Sequence, residues 1–139
     1  MPKIADKALQ FMWDETIPEG IRDPGYCRIM VLGVGGAGNN TVTRLTETGI
    51  TYAECIAVNT DASHLSASKA HQKILIGEKL TKGLGVGGDP KLGRTAIEES
   101  RNRVEDLLSD VDIAFITAGL GGGTGTGAAP VVAEIARRK

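Results

Sequence analysis

Glycine sits in this chain where backbone chemistry could use it. Ala118-Gly119-Leu120-Gly121-Gly122-Gly123-Thr124-Gly125-Thr126-Gly127 follows an apolar run from Val111 to Thr117, and Gly33-Val34-Gly35-Gly36-Ala37-Gly38-Asn39-Asn40 follows another from Ile29 to Leu32. Helix-like sequence comes after both. A strand feeding a helix through glycines aims bare backbone N–H groups at one place beyond the strand end. The helix dipole favours negative charge at that place. Two such loops in one small domain fit a polyphosphate held from two sides. Of the 19 glycines, four fall in 33–38, five in 83–93 and six in 119–127. Clusters of this kind, separated by ordinary strand and helix sequence, read as loops that approach something closely.

The first loop satisfies G-x-G-x-x-G, in which the glycines serve a tight turn, the approach to phosphate and close helix–strand packing. On its own it also fits a structural turn or an NAD- or FAD-binding Rossmann domain. Asp61, 23 residues after Gly38, is the acid that a dinucleotide site would want. That reading leaves the second loop without a job. The second loop has no lysine, so it is not a G-x-x-x-x-G-K-[ST] loop. Phosphate charge there falls to N–H groups, the hydroxyls of Thr124 and Thr126, and a metal ion. A third candidate, Gly85-Val86-Gly87-Gly88-Asp89-Pro90, ends in a strong helix start, with Asp as N-cap and Pro at the first position. It can close over a terminal phosphate, or be a surface loop with a cap. Asn59 and Asp61 end the second strand on the same side. Asn59 is placed for a ribose or phosphate, and Asp61 for a sugar, a metal-bound water or the cap of the next helix. His64 and His71 are expected to be surface or structural. No Ser/His/Asp set or close carboxylate pair points to nucleophilic or glycosidic chemistry.

The elements that must position these loops alternate. Strands are expected over about 27–33, 52–58, 73–76 and 111–118. Helices are expected over about 37–48, 62–68, 90–108 and from 125–127 onward, with Pro130 near the first turn of the last. A long loop is expected over 77–90. Residues 1–25 read as an N-terminal helix and linker, and 26–139 as the domain. Alternation of this kind gives an α/β fold, a Rossmann-like parallel sheet with helices on both faces. Ligands of such sheets bind beyond the carboxyl ends of the strands, where strand order reverses. All three glycine clusters lie there.

Composition removes several classes. A net charge of −1 with no long basic run argues against broad nucleic-acid binding, and 4% aromatic residues against a base-stacking platform. No apolar run reaches the roughly 20 residues of a membrane span, and the N-terminus lacks a signal-peptide core. Cys27 and Cys55 have no metal spacing and read as two buried, reduced thiols of a cytoplasmic protein.

Taken together, Val34 to Asn39, Val58-Asn59-Thr60-Asp61, Gly83 to Pro90 and Ala118 to Pro130 closely resemble the FtsZ family, the prokaryotic relatives of tubulin. The likeness covers roughly 27–138, and Asp89-Pro90 with the N-terminal extension is more similar to archaeal members. The resemblance implies a GTPase that polymerises head-to-tail into filaments for cell division, alongside other division proteins. It implies that Gly35, Gly36, Ala37, Gly38 and Asn39 sit on the phosphates, that Asn59 and Asp61 line the sugar or phosphate side, and that Gly87 and Gly88 approach the γ-phosphate. It assigns the main phosphate turn to Gly121, Gly122, Gly123, Thr124 and Gly125, with Thr126 next to it as a further site residue. Mg²⁺ would be held mainly by GTP or GDP and water, with no protein ligand and no catalytic residue in this chain. In the family, guanine selection and the catalytic acidic loop lie further along, so the chain is expected to be a front part with incomplete activity. Its last strand is then expected to be an edge that promotes self-association. A non-catalytic tubulin-like scaffold is the remaining alternative.

Overall fold

The computed structural model describes residues 27–139. The helix and linker expected over 1–25 lie outside the described residues. Four strands, β1 (Ile29–Val34), β2 (Ala53–Asn59), β3 (Gln72–Leu75) and β4 (Ile113–Ala118), form one parallel sheet in the order β3-β2-β1-β4. The helices are α1 (Gly35–Glu47), α2 (Ala62–Ala67), α3 (Glu78–Thr81), α4 (Pro90–Glu99), α5 (Arg101–Leu108) and α6 (Thr124–Arg138). The chain steps from β1 out to β3 and then crosses back to place β4 on the other side of β1. Strand order therefore reverses between β1 and β4, and a crevice opens at their carboxyl ends.

Period-two alternation divides β1 between two cores. Met30, Leu32 and Val34 join Ile56 and Val58 of β2 in the larger core, under α4, α5 and α6. Val31 faces the opposite side with the buried Cys55, packed on Val42 of α1. Cys27, also expected to be buried, is exposed because it precedes β1 and has no place in either core. Two close approaches set the helices near the strand tips. A Cβ on Gly33 would collide with the Gly38 carbonyl, and one on Gly38 would lie 2.5 Å from the Thr117 carbonyl oxygen. The first turn of α1 thus rests on the backbone of β1 and β4. On the other face α4 crosses the start of α6 backbone to backbone, with Gly93 against Gly123 and Gly127 against Pro90.

The structure departs from the expected elements in four places. The helix expected over 90–108 breaks at Ser100, whose backbone (φ −102°, ψ 13°) leaves the helical range. The buried Ser100 hydroxyl accepts the Gly77 N–H at 3.2 Å, a bond that ties the break to the end of β3. Past the break, Arg101 reaches Glu98, Glu105 and Glu134 of α6 at 3.2, 3.2 and 3.5 Å. Its hydrogen bond to Glu98 raises the guanidinium pKa above the ordinary value, with the neighbouring carboxylates adding to the effect. The loop expected over 77–90 contains the one-turn α3. Helix α6 begins at Thr124, ahead of the expected start, so the exposed Pro130 lies inside the helix instead of in its first turn.

The fourth departure is in β4. It is the edge of the described sheet, as expected, but an almost wholly apolar strand reads as covered on both faces, whereas Ile113 and Phe115 are exposed. At the tip of the strand, the first turn of α1 rests on the Thr117 carbonyl. An apolar edge of this kind pairs readily with another chain. Phe115→Lys is expected to shift the chain from oligomer toward monomer in sedimentation at high concentration. Identical sedimentation of both forms would place the association elsewhere.

Candidate functional site

The crevice holds a cavity of about 560 Å³ walled by four segments: Val34–Ala37, Asn59–Asp61 with His64, Leu84–Gly87, and the loop from Gly119 into Gly125. Each segment comes from a strand end or from a loop docked on one. The loop after α3 is fixed by Gly85 N–H to Thr60 O (3.2 Å) and Ala62 N–H to Gly83 O (3.0 Å). The start of α6 is fixed to the end of β2 by a buried bond of 2.7 Å between the hydroxyls of Thr60 and Thr124.

The cavity gathers ten of the residues expected at a site: Gly35, Gly36, Ala37, Asn59, Asp61, Gly87, Gly122, Gly123, Thr124 and Gly125. Five others lie off the wall, for identifiable reasons. Gly38 serves helix–strand packing. Asn39 is fully buried beneath the loop, where its Nδ2 donates to Gly33 O (2.8 Å) and Val58 O (3.1 Å). Gly88 and Gly121 are turn residues with φ of +79° and +106° and open space around them. The Thr126 hydroxyl accepts the Gly121 N–H at 2.9 Å and so braces the loop.

Several wall residues also spend their polar atoms internally. Asn59 donates to Asn39 Oδ1 (2.9 Å), while its own Oδ1 accepts the N–H groups of Thr60 and Asp61. Asp61 caps α2 by accepting the His64 N–H at 3.0 Å. Thr124 shares a bond with Thr60, and the Thr126 oxygen accepts the Gly121 N–H, so each threonine of the second loop, expected to meet phosphate, also has an internal partner. The residues missed by sequence reasoning include Thr60, which sits between two that were named, and His64, three residues after the cap. Leu84 and Leu120 are exposed apolar residues between glycines, and nothing in a glycine pattern signals them.

What remains for a ligand is backbone. Helices α1 and α6 both start on the cavity wall, and neither has a side-chain cap. By contrast, α2 and α4 are capped by Asp61 and Asp89. No lysine or arginine lines the wall, and Asp61 is its one carboxylate. Two uncapped helix N-termini converging on one cavity make an anion site out of amides and dipoles. Their approach is close: a Cβ on Gly35 would lie 2.9 Å from the Gly125 nitrogen.

The Thr60–Thr124 bond gives a test of how the wall is held. Thr60→Val and Thr124→Val should each cost about 1–2 kcal/mol, because each leaves the other hydroxyl buried and unpaired. The double variant should cost less than the sum. Urea unfolding of the three variants measures this, and strict additivity would mean that the two hydroxyls do not support each other.

The model of the Tubulin/FtsZ family, GTPase domain, matches residues 28–139. The chain belongs to the tubulin/FtsZ family. It is 64% identical over 124 residues to cell division protein FtsZ 1 of Pyrococcus woesei, covering 89% of this chain and 33% of that protein. It is 58% identical over 113 residues to FtsZ 2 of Methanocaldococcus jannaschii, covering 81% of this chain and 30% of that protein. Among solved structures it is similar to an empty FtsZ dimer of M. jannaschii, with a TM-score of 0.81 and 47% identity over 99% of this chain and 37% of the other. A GTPγS-bound protofilament of CetZ2 from Haloferax volcanii matches with a TM-score of 0.68 and 34% identity, over 77% of this chain and 35% of the other. The chain thus spans about a third of the length of the curated relatives it matches. Family membership favours the FtsZ reading of the two loops over the dinucleotide one.

Proposed function

We propose that this chain is the phosphate-binding portion of an FtsZ-type GTPase that assembles head-to-tail into filaments for cytoplasmic cell division. The observation that carries the reading is the convergence of the two uncapped helix starts, α1 and α6, on a cavity without basic side chains. In this reading the amides of Gly35, Gly36 and Ala37 meet the phosphates from one side, and those of Gly122 to Gly125 from the other. Gly87 is placed to approach the terminal phosphate. Asn39, Asn59, Thr60 and Thr126 hold these backbones in position. Mg²⁺ would be held mainly by the nucleotide and water, with the wall's one carboxylate, Asp61, using Oδ1 to cap α2. Such sharing of Mg²⁺ with substrate phosphates is usual for a cation that keeps several waters.

Head-to-tail assembly follows from a heterologous contact that does not close. The protofilament named for one structural relative supports that arrangement. No helix among the described residues is long and apolar enough to cross a membrane. Thermal unfolding of the full-length gene product with GTP, ATP and NAD at about 100 times Kd tests the reading. Bound ligand stabilises by about 2.7 kcal/mol, which moves Tm by several degrees. GTP alone should do so. A shift with NAD alone would favour a dinucleotide site, and none with any of the three would favour a scaffold.

A further inference from the structure

The phosphate wall contains one side chain able to carry positive charge, His64. Its ring stands against the first turn of α1, and a Cβ on Gly36 would lie 3.0 Å from Cε1 and 3.3 Å from Nδ1. Nε2 lies 3.2 Å from Asn40 Oδ1. An amide oxygen only accepts, so Nε2 carries the hydrogen in that pair, and Nδ1 of the neutral ring is an acceptor. An acceptor cannot bond a phosphate oxygen. Protonation turns Nδ1 into a donor and adds the charge that the wall lacks.

The charged neighbours are few. The turn before α2 contributes Asp61, whose Oδ1 accepts the His64 backbone N–H. Helix α1 contributes the neutral Gly36 and Asn40 beside the ring, with Arg44 one turn further on and Glu47 beyond it. The loop between α3 and α4 carries Lys82 and Asp89, and the Gly119–Gly125 loop carries no charge.

Resting on the nucleotide reading above, we infer that His64 is a further phosphate-contacting residue whose protonated ring donates from Nδ1 to the bound polyphosphate. Binding then takes up a proton, and affinity rises as pH falls. A hydrogen bond from a charged donor to the phosphate supports a gain of roughly ten-fold. The ligand's own titration works the other way. A terminal phosphate gains a proton near pH 6, which weakens its hold on amides, so an amide-only cradle predicts level or falling affinity. The chain's other histidine, His71, lies at the opposite end of the sheet, where its Nδ1 accepts the Cys55 N–H at 2.8 Å.

The test is the Kd of Mg·GTP for the full-length gene product at pH 8.0, 7.0 and 6.0, by calorimetry at constant ionic strength. His64→Gln serves as the neutral variant. The wild type should bind about ten-fold more tightly at pH 6.0 than at pH 8.0, and the variant should lose that slope while still binding at pH 8.0. A level or falling wild-type profile, or the same rise in both proteins, overturns the role of His64 and leaves the nucleotide reading standing. Absence of binding by the wild type at every pH overturns the nucleotide reading itself.

Discussion

Asn39→Asp should lower the free energy of unfolding by more than about 3 kcal/mol while leaving side-chain volume almost unchanged. The native amide donates two hydrogen bonds, to Gly33 O at 2.8 Å and Val58 O at 3.1 Å, and accepts one from Asn59. The site is fully buried. Aspartate would place an oxygen against both carbonyls and bring a charge with no partner into the interior. Losing hydrogen-bonded partners costs about 1–3 kcal/mol for each group left unpaired, and an uncompensated buried charge costs more. Urea titration should show a lower midpoint with an unchanged slope. Asn40→Asp, one residue along and exposed, should stay within about 0.5 kcal/mol of wild type. A loss below about 1 kcal/mol in Asn39→Asp would mean that the network does not hold the ends of β1 and β2 together.

The second expected result separates two glycines of one motif. Gly127→Ala should destabilise the fold by about 2 kcal/mol. Alanine inside a helix is ordinarily favoured over glycine by about 1 kcal/mol. Here, however, the new Cβ would meet the Pro90 carbonyl and lie 2.6 Å from the Arg94 nitrogen. Both are backbone atoms that cannot rotate away, so the overpacking cost, near the upper end of about 1–3 kcal/mol, wins. Gly122→Ala meets nothing within 4 Å and should move Tm by no more than about 2 °C. Its Cβ would stand on the cavity wall, so GTP affinity should fall by at least about ten-fold as the methyl group holds phosphate away from the amides. Calorimetric unfolding and binding of the two variants give both numbers. A stable Gly127→Ala, or a Gly122→Ala that binds normally, would contradict the division of labour.

The same contrast shows what could be read from the chain. The parallel sheet was legible because apolar runs alternate with amphipathic ones. The place of the cavity was legible because all three glycine clusters follow strands. The duties of individual glycines were not, because a glycine needed for close packing looks the same in sequence as one that faces a ligand. Gly38 and Gly127 serve packing and Gly122 lines the wall, a difference set by contacts with residues far along the chain. Asn39 and Thr126 show the same limit. Their polar side chains beside glycines read as ligand contacts, and the fold also gives them internal partners, the buried carbonyls of Gly33 and Val58 for Asn39 and the exposed Gly121 N–H for Thr126. His64 was passed over because a lone histidine carries no pattern. Only the packing of its ring on Gly36 puts it at the cavity. The exposed side of β4 was unreadable from its apolar sequence, since burial depends on what lies over a strand.

The central claim is that backbone amides at the starts of α1 and α6 converge on one polyphosphate. Its most direct test is a ¹H–¹⁵N amide titration of the full-length gene product with Mg·GTP. The largest shifts should fall on Gly35, Gly36, Ala37 and Gly122 to Gly125, moving together with a single Kd. Shifts confined to one of the two loops, or centred at the opposite end of the sheet around Tyr52 and His71, would contradict it.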